Sequence, residues 1–459
     1  MNTEIIQGGM GVYISTPSLA NIVSRNGALG TVSGVAAERI LALILGKGDP
    51  GGHFRRALSH FPSQKMAEQV IDTYFIEEGN PKGLAAKRAP MFTINPSEIL
   101  IALSVTANFA FVYLAKEGHD KLVSVNYLEK IAMPHIYAIY GAMLAGVDFI
   151  TMGAGIPLLI PDVINNYAEG KPASYRVPVV GQNITSHAMV FDPSSYFGEK
   201  MPGLKKPGFI PIIASNLLAS IFMKKFKDRP GDIYGFVVEE WTAGGHNAPP
   251  RKGGVYGPKD EVDYGKIHDL GLPFWIGGSK ASPEKLHWAK SVGATGIQAG
   301  SIFALCRESG MDTTIRKISL RLGFNKDLIV RTSLIASPAG FPFKVACLPG
   351  SLSEESAYLS RKRVCDQGGL RTLFERPDGS IGYRCAAEPV EEYIRKLGLL
   401  KETEGARCIC NGLISTAGLG DVGEAPIITL GDDNRFLQYL LTHPEGSYGA
   451  VDAIKYLSR

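Results

Sequence analysis

The segment "LPFWIGGSKASPEKLHWAKSVGATGIQAGSIFAL", Leu272 to Leu305, carries a complete strand–helix–strand unit. Leu272–Ser279 is an apolar run that ends in a Gly-Gly-Ser turn, which reads as a strand. Ser282 and Pro283 form a helix cap and first turn. Leu286, Ala289 and Val292 then recur at helical spacing. Thr295–Leu305 begins as a second apolar run and exits through Gln298-Ala299-Gly300-Ser301. Both runs are continuously apolar rather than alternating, so each belongs to a sheet buried on both faces. Two such strands joined by a helix are parallel.

Working outward, the same alternation recurs from the first residues. Strand-like runs occupy Glu4–Gly9, Ala28–Gly34, Lys121–Asn126, Val147–Pro157, Gly208–Asn216 and Tyr234–Glu240. With the two already described they number eight. Val177–Thr185 is an additional strand candidate. Between the first two runs, Thr16 caps a helix, Pro17 sits in its first turn and Gly27 stops it. The helix after the third run is predicted within Leu128–Gly146. An open doubly wound sheet and a closed barrel both satisfy this pattern. Eight strands in about 300 residues favour a (β/α)8 TIM barrel. It is predicted over residues 1–310, with a long, mostly helical insertion at about 35–120 broken by Pro62, Pro81, Pro90 and Pro96. Residues 311–459 read as a mainly helical C-terminal extension packed on the barrel.

Composition narrows the function classes. The 459 residues are 45% hydrophobic and 20% charged, with a net charge of +4. That is a globular composition with no electrostatic case for nucleic acid. The N-terminus lacks a basic segment followed by an apolar one, so no signal peptide is expected. No run of eighteen apolar residues predicts a membrane span. Six cysteines in a chain of this length do not make a disulfide scaffold, and reduced thiols in a cytoplasm are expected.

In a barrel, ligand-binding groups gather at the C-terminal ends of the strands. Here those ends are glycine-rich or polar. The last two, Ile276-Gly277-Gly278-Ser279 and Gln298-Ala299-Gly300-Ser301, follow strands seven and eight, where barrels often bind phosphate. Glycine lets backbone N–H groups approach an anion, and Ser279 and Ser301 add hydroxyl donors. A phosphate there, with glycines at the end of strand one, suits flavin mononucleotide (FMN). Gly9, Met10 and Gly11 would present backbone to the flavin ring, and Asn126 would bond its pyrimidine side. Plain tight turns and a helix cap are the competing readings of the glycine pairs and of Asn126. At the sixth strand end, "VVEEWTAGGHNAPP" (Val237–Pro250) places His246 directly after Gly244 and Gly245.

Taken together, "IIQGGMG", "VSRNGALGTVSG", "MGAGIP", "TAGGHN", "IGGS" and "GATGIQAGSIFAL" resemble the nitronate monooxygenase family, formerly the 2-nitropropane dioxygenases. That family includes flavin-dependent enoyl-acyl-carrier-protein reductases and reductase components of polyunsaturated fatty acid synthases. The resemblance spans about residues 4–305. It implies an FMN-bound (β/α)8 barrel with His246 as the active-site histidine and Gly244 and Gly245 as flavin-contacting glycines. It also places Gly277, Gly278, Gly300 and Ser301 at the phosphate, and Met10, Gly11 and Asn126 at the flavin ring. The implied reaction is oxidation of alkyl nitronates with O2. The alternatives are an NAD(P)H-dependent enoyl-thioester reductase, or a flavin-binding component of a larger lipid- or polyketide-synthesis complex. The expected partners are a small-molecule substrate and O2, with NAD(P)H for a reductase and a second copy in a homodimer. Neither nucleic acid nor membrane is expected.

Four positions depart from the family pattern. Glu239 stands where the family has a flavin-contacting Gln. Thr242 replaces a Glu, and Ser215 and Asn216 occupy a place where lysine is common. His246 has two functional readings, a base or anion-steadying group for a nitronate and a donor to an enoyl thioester, beside a structural role in its loop. No metal is predicted. His119, His135 and His187 lack partners at ligand spacing, and Asp148 and Glu169 form no carboxylate pair. Cys408 and Cys410 form a C-x-C pair with Cys385 and Cys365 upstream, which raises a metal or iron–sulfur cluster; the pair lacks the usual C-x₂-C spacing and its partners lie about 20 residues apart, so the four read as buried or incidental thiols. Asn166–Arg176 reads as a surface loop.

Overall fold

A computed structural model describes residues 3–79, 87–198 and 203–459. The break expected at Pro81 lies outside the described residues. Fourteen strands occur among the described residues, numbered here in chain order. They are β1 (Ile5–Gln7), β2 (Gly30–Ser33), β3 (Val123–Leu128), β4 (Phe149–Gly153), β5 (Ala173–Val180), β6 (Ser186–Phe191) and β7 (Gly208–Ile213). The rest are β8 (Phe236–Glu239), β9 (Phe274–Gly277), β10 (Gly296–Ala299), β11 (Val330–Ser333), β12 (Phe343–Ala346), β13 (Thr372–Glu375) and β14 (Ile381–Arg384).

Eight of these form one parallel sheet in the order β1-β10-β9-β8-β7-β4-β3-β2. The two edges meet. Ile6 bridges Leu29 in parallel, Gln7 N–H donates to Leu29 O at 3.0 Å, and Leu29 N–H donates to Ile5 O at 2.9 Å. The sheet therefore closes as a (β/α)8 barrel. Closure removes both edges, which an open sheet would have to cover. Ile6, Phe149, Ile210, Val237 and Trp275, from β1, β4, β7, β8 and β9, form a separate buried cluster with Leu29, the residue before β2. Trp275, fully buried, donates its indole N–H to Thr3 O at 2.9 Å.

The caps expected at the two best-marked helices are present. Thr16 Oγ1 accepts from Leu19 N–H at 3.0 Å at the start of the helix Pro17–Arg25. Ser282 Oγ accepts from Lys285 N–H at 3.2 Å at the start of Pro283–Ser291. Each bond satisfies one of the orphan donors of a first helical turn. The insertion after β2 holds the helices Ala37–Gly46, His53–Leu58, Gln64–Tyr74 and Glu98–Lys116. The last has 19 residues and a mean hydropathy of 1.8, long and apolar enough to cross a membrane, but 78% of its apolar window is buried inside the protein. It packs against the helices Pro17–Arg25, Ala37–Gly46 and His135–Leu144, as a core helix does.

Several local expectations change. Asn126 lies inside β3, in register with Ser33 and Thr151, rather than at the strand's end. The helix after β3 starts only at His135, because Pro134 serves as its N-cap. Residues 129–134 are thereby left as a turn at the barrel mouth. The single extra strand expected at Val177–Thr185 is a hairpin of β5 and β6. Asn166–Arg176 is the end of the helix Ile160–Ala168, a turn and the start of β5.

The residues after the barrel are tied to it at several points. β13 pairs in parallel with β5, making the four-stranded sheet β14-β13-β5-β6. β12 pairs with β11 and also forms an antiparallel bridge, Phe343 to His246. Tyr448, fully buried, donates its hydroxyl to Ile302 O at 2.7 Å. The final helix, Ala450–Leu457, packs against Pro17–Arg25.

Candidate functional site

A cavity of about 420 Å³ opens at the C-terminal ends of the barrel strands. That lies within the roughly 300–1,000 Å³ of small-molecule and cofactor pockets. All fourteen residues singled out in the sequence line it: Gly9, Met10 and Gly11 after β1; Asn126; Glu239; Gly244, Gly245 and His246; Gly277, Gly278 and Ser279; and Gln298, Gly300 and Ser301.

The loop after β1 is held from beneath. Gln7, fully buried, donates through Nε2 to Ser15 Oγ at 2.9 Å and to Thr31 O at 3.0 Å. Ser15 Oγ accepts from Met10 N–H at 2.9 Å and donates to Gly8 O at 3.0 Å. One hydroxyl thus fixes both sides of the Gly8–Met10 turn. Gly9 must be glycine: a Cβ there would lie 2.1 Å from Asn126 Cβ. Asn126 donates from Nδ2 to Gly9 O at 3.1 Å, and its Oδ1 accepts from Thr151 Oγ1 at 2.9 Å. Its orientation is set by the protein, and the second hydrogen of Nδ2 remains for a ligand.

The ends of β9 and β10 form the second wall. None of the N–H groups of Gly278, Ser279, Gly300 and Ser301 bonds to a carbonyl among the described residues. Gly278 takes φ +95°, and a Cβ would meet Thr242 Oγ1 at 2.8 Å. Ser301 Oγ accepts from Gly431 N–H at 2.8 Å, which leaves its own hydrogen to donate. Gln298 is buried, and its Nε2 has no partner among the described residues. An orphaned amide in a cavity wall marks a place for a ligand acceptor. The strand-end N–H groups, the orphan amide of Gln298 and the free Asn126 hydrogen all line one cavity, a donor set that fits a flavin.

His246 stands opposite. Its Nε2 lies 2.7 Å from Ser337 Oγ, and its ring packs on Phe343 with centroids 4.8 Å apart. The backbone is clamped on both sides: Lys344 N–H donates to Gly245 O at 2.9 Å, and Asn247 N–H donates to Pro342 O at 2.9 Å. Burial, reinforced by the positive charge of Lys130, lowers the imidazole pKa to about 4. At neutral pH the ring is uncharged. A second strap, Thr429–Asp432, crosses the same loop: Thr429 Oγ1 accepts from Gly245 N–H at 2.6 Å, and Asp432 N–H donates to Thr242 O at 3.0 Å. This changes the physical reason for one glycine. A Cβ on Gly244 would lie 2.9 Å from the Leu430 carbonyl carbon, so the strap requires that glycine. Gly245 is needed for its φ of +85°.

Adjacent acids have opposite fates. Glu240 accepts from Lys280 Nζ at 2.5 Å and from Tyr264 Oη at 2.5 Å, an ion pair at the barrel mouth. Glu239 faces the cavity with no charged partner, and burial raises its carboxyl pKa to about 8. The carboxyl is therefore neutral at pH 7. Two neutral titratable groups at one cavity are an active-site arrangement. Ser215 and Asn216 take no part. Ser215 caps the helix Asn216–Lys225, and Asn216 bonds Asp263.

Sequence reading missed four site groups. Ser337, Phe343 and Thr429 come from far along the chain, and only tertiary structure brings them to His246. Lys130 lines the cavity from the turn before His135 and lies 4.6 Å from the Phe341 ring. It was hidden inside a predicted helix, although Pro134 four residues later was a signal. His135 is buried, bonds Leu128 O at 3.1 Å and is structural. The cysteines are free thiols, as expected: Cys385 and Cys408 are buried, and Cys365 and Cys410 pack against them in one cluster of side chains.

No protein-family model and no curated protein matches this sequence. Solved structures do resemble it. The enoyl reductase domain of MlnA, from the macrolactin biosynthesis cluster of Bacillus amyloliquefaciens, is 10% identical, with 99% of this chain and 93% of that one covered and a TM-score of 0.49. Nitroalkane oxidase from Streptomyces ansochromogenes is 11% identical, with 99% and 94% covered and a TM-score of 0.45. FabK from Thermotoga maritima is 14% identical, with 100% of this chain and 92% of that one covered and a TM-score of 0.51. At this identity the likeness is one of fold: the chain shares with FabK a (β/α)8 barrel together with the segments that follow it.

Proposed function

We propose that the protein is an FMN-dependent oxidoreductase of the nitronate monooxygenase type, oxidising alkyl nitronates with O2. The observation that carries this reading is the cavity itself. Unpaired backbone donors at the ends of β9 and β10, the orphan amide of Gln298 and a neutral His246 all face one space. Gly278, Ser279, Gly300 and Ser301 would hold the phosphate, while Gly9, Met10, Gly11, Asn126 and Gln298 would edge the ring.

When bound, the flavin supplies the two-electron chemistry. The protein's own groups select and orient the substrate. A histidine with a pKa near 4 is a poor base for removing a carbon-bound proton at neutral pH. It is a good hydrogen-bond partner for an anion that arrives already deprotonated. Ser337 fixes the ring through Nε2, leaving Nδ1 without a protein partner among the described residues. Lys130, close enough to His246 to lower its pKa, adds a positive potential that favours an anionic substrate. Glu239, held neutral, does not repel that anion.

One observation favours the enoyl-thioester reductase reading: Glu239 and His246 are both uncharged, so either can donate a hydrogen bond to a neutral carbonyl. Anaerobic mixing separates the two. A propyl nitronate is expected to bleach the flavin absorbance of the reconstituted protein. Bleaching by NADPH alone would replace the first reading with the second.

A further inference from the structure

Four of the six cysteines converge from three separate segments. Cys365 follows the helix Glu355–Ser360, Cys385 follows β14 directly, and Cys408 and Cys410 open the helix Ile409–Thr416. Cys385 and Cys408 are buried, and Cys365 and Cys410 pack against them. All four are free thiols. Cys365 neighbours Cys385, and Cys410 lies near Cys365, Cys385 and Cys408. Arg363 holds the segments together, donating to Glu388 O at 2.9 Å, to Thr403 O at 3.2 Å and to Ala386 O.

Backbone at Gly368, Gly369, Leu370, Ala387 and Asn411 lies close to the four sulfurs. Gly369 lets the chain come this close, since a Cβ there would lie 3.3 Å from Cys410 Sγ. Arg371 faces Cys365, Arg361 faces Cys408 and Arg39 faces Cys410. In the metal-free protein burial outweighs these contacts at Cys408 and Cys410, whose thiols are held neutral; around iron, amide and cation contacts of this kind tune the sulfur ligands. Cys410 and the Gly368–Arg371 turn also line the large cavity.

Among the described residues no three His, Cys, Asp or Glu groups close on a single-ion position. A zinc ion would draw all four sulfurs to about 2.3 Å from one point. A four-iron cluster carries each thiolate on a separate iron and holds the sulfurs further apart. We propose that Cys365, Cys385, Cys408 and Cys410 ligate an iron–sulfur cluster at the edge of the cavity. Loading is a ligand exchange with a preassembled, thiolate-ligated cluster. Each cysteine thiol passes its proton to a departing thiolate as its own sulfur–iron bond forms, and no electron changes hands.

The test is to incubate the full chain anaerobically with a preformed thiolate-ligated four-iron cluster, remove the excess by gel filtration, and assay iron and acid-labile sulfide. About four of each per chain are expected. The Cys408→Ser/Cys410→Ser double variant should lose most of both, and Cys347→Ser, outside the cluster, should lose none. Circular dichroism melts establish that the variants are folded, and the wild-type counts decide the matter if they are not. Retention of no iron or sulfide by the wild type would overturn the proposal. So would equal retention by the double variant, or one zinc per chain in protein isolated from cells. These counts do not depend on whether flavin binds.

Discussion

Replacing Glu239 with Gln isolates the most unusual group in the cavity. Burial, with no cation nearby, moves this carboxyl pKa from 4.5 to about 8. At about 1.4 kcal/mol per tenfold change in proton affinity, that displacement is worth about 5 kcal/mol between the two charge states. Between about pH 4.5 and pH 8 the folded chain holds one proton that the unfolded chain has released. Rising pH therefore favours unfolding. The stability Glu239 contributes is complete below the unfolded pKa, and all of it is lost once the pH passes about 8. Gln is nearly isosteric with the neutral carboxyl and does not titrate. The stability of Glu239→Gln relative to wild type should thus be near zero at about pH 4.5 and rise to at most about 5 kcal/mol above pH 8. The assay is urea unfolding of the flavin-free proteins at several pH values from about 4.5 to 9, with the difference taken at each. Other titrating groups, Glu38 and Glu129 among them, cancel in that difference. A constant difference between the two proteins across the range would refute the reasoning, because it would mean that Glu239 titrates alike folded and unfolded.

Three further outcomes follow from the same geometry. Gly9→Ala drives a Cβ to 2.1 Å from Asn126 Cβ and should weaken FMN binding at least about tenfold, seen by fluorescence titration. Gly244→Ala pushes the Leu430 strap outward and should destabilise the protein by roughly 1–3 kcal/mol in thermal or denaturant unfolding. His246→Ala should slow flavin reduction while leaving FMN bound, and the wild-type pH profile of that reduction should show no histidine inflection near 6.5, because the ring titrates near 4; an inflection near 6.5 would place His246 in a more solvated setting.

The barrel was legible because parallel strands buried on both faces write themselves as unbroken apolar runs, and caps such as Thr16 and Ser282 mark the helices between them. Gly9, Gly277, Gly278 and Gly300 were legible for a related reason: each closes a strand where the backbone passes close to a neighbour or makes room for a ligand. The cover over His246 was not. Phe343, Ser337 and Thr429 sit on short, irregular segments after the barrel, and nothing in local periodicity assigns such segments a docking face. Gly244 shows the limit well. Its identity was readable, but its reason, the backbone at Leu430 and Gly431, lies almost two hundred residues away. The four cysteines could be named together from the sequence, but not their convergence, since spacing says little when three segments bring the sulfurs together.

The most direct test of the central claim is titration of the flavin-free protein with FMN and with riboflavin, followed by flavin fluorescence. The account predicts one FMN per chain. Riboflavin, which lacks the phosphate, should bind at least about 100-fold more weakly, from the loss of two charge-assisted hydrogen bonds at about 1.5 kcal/mol each at the ends of β9 and β10. Equal affinity for the two, or binding of neither, would contradict it.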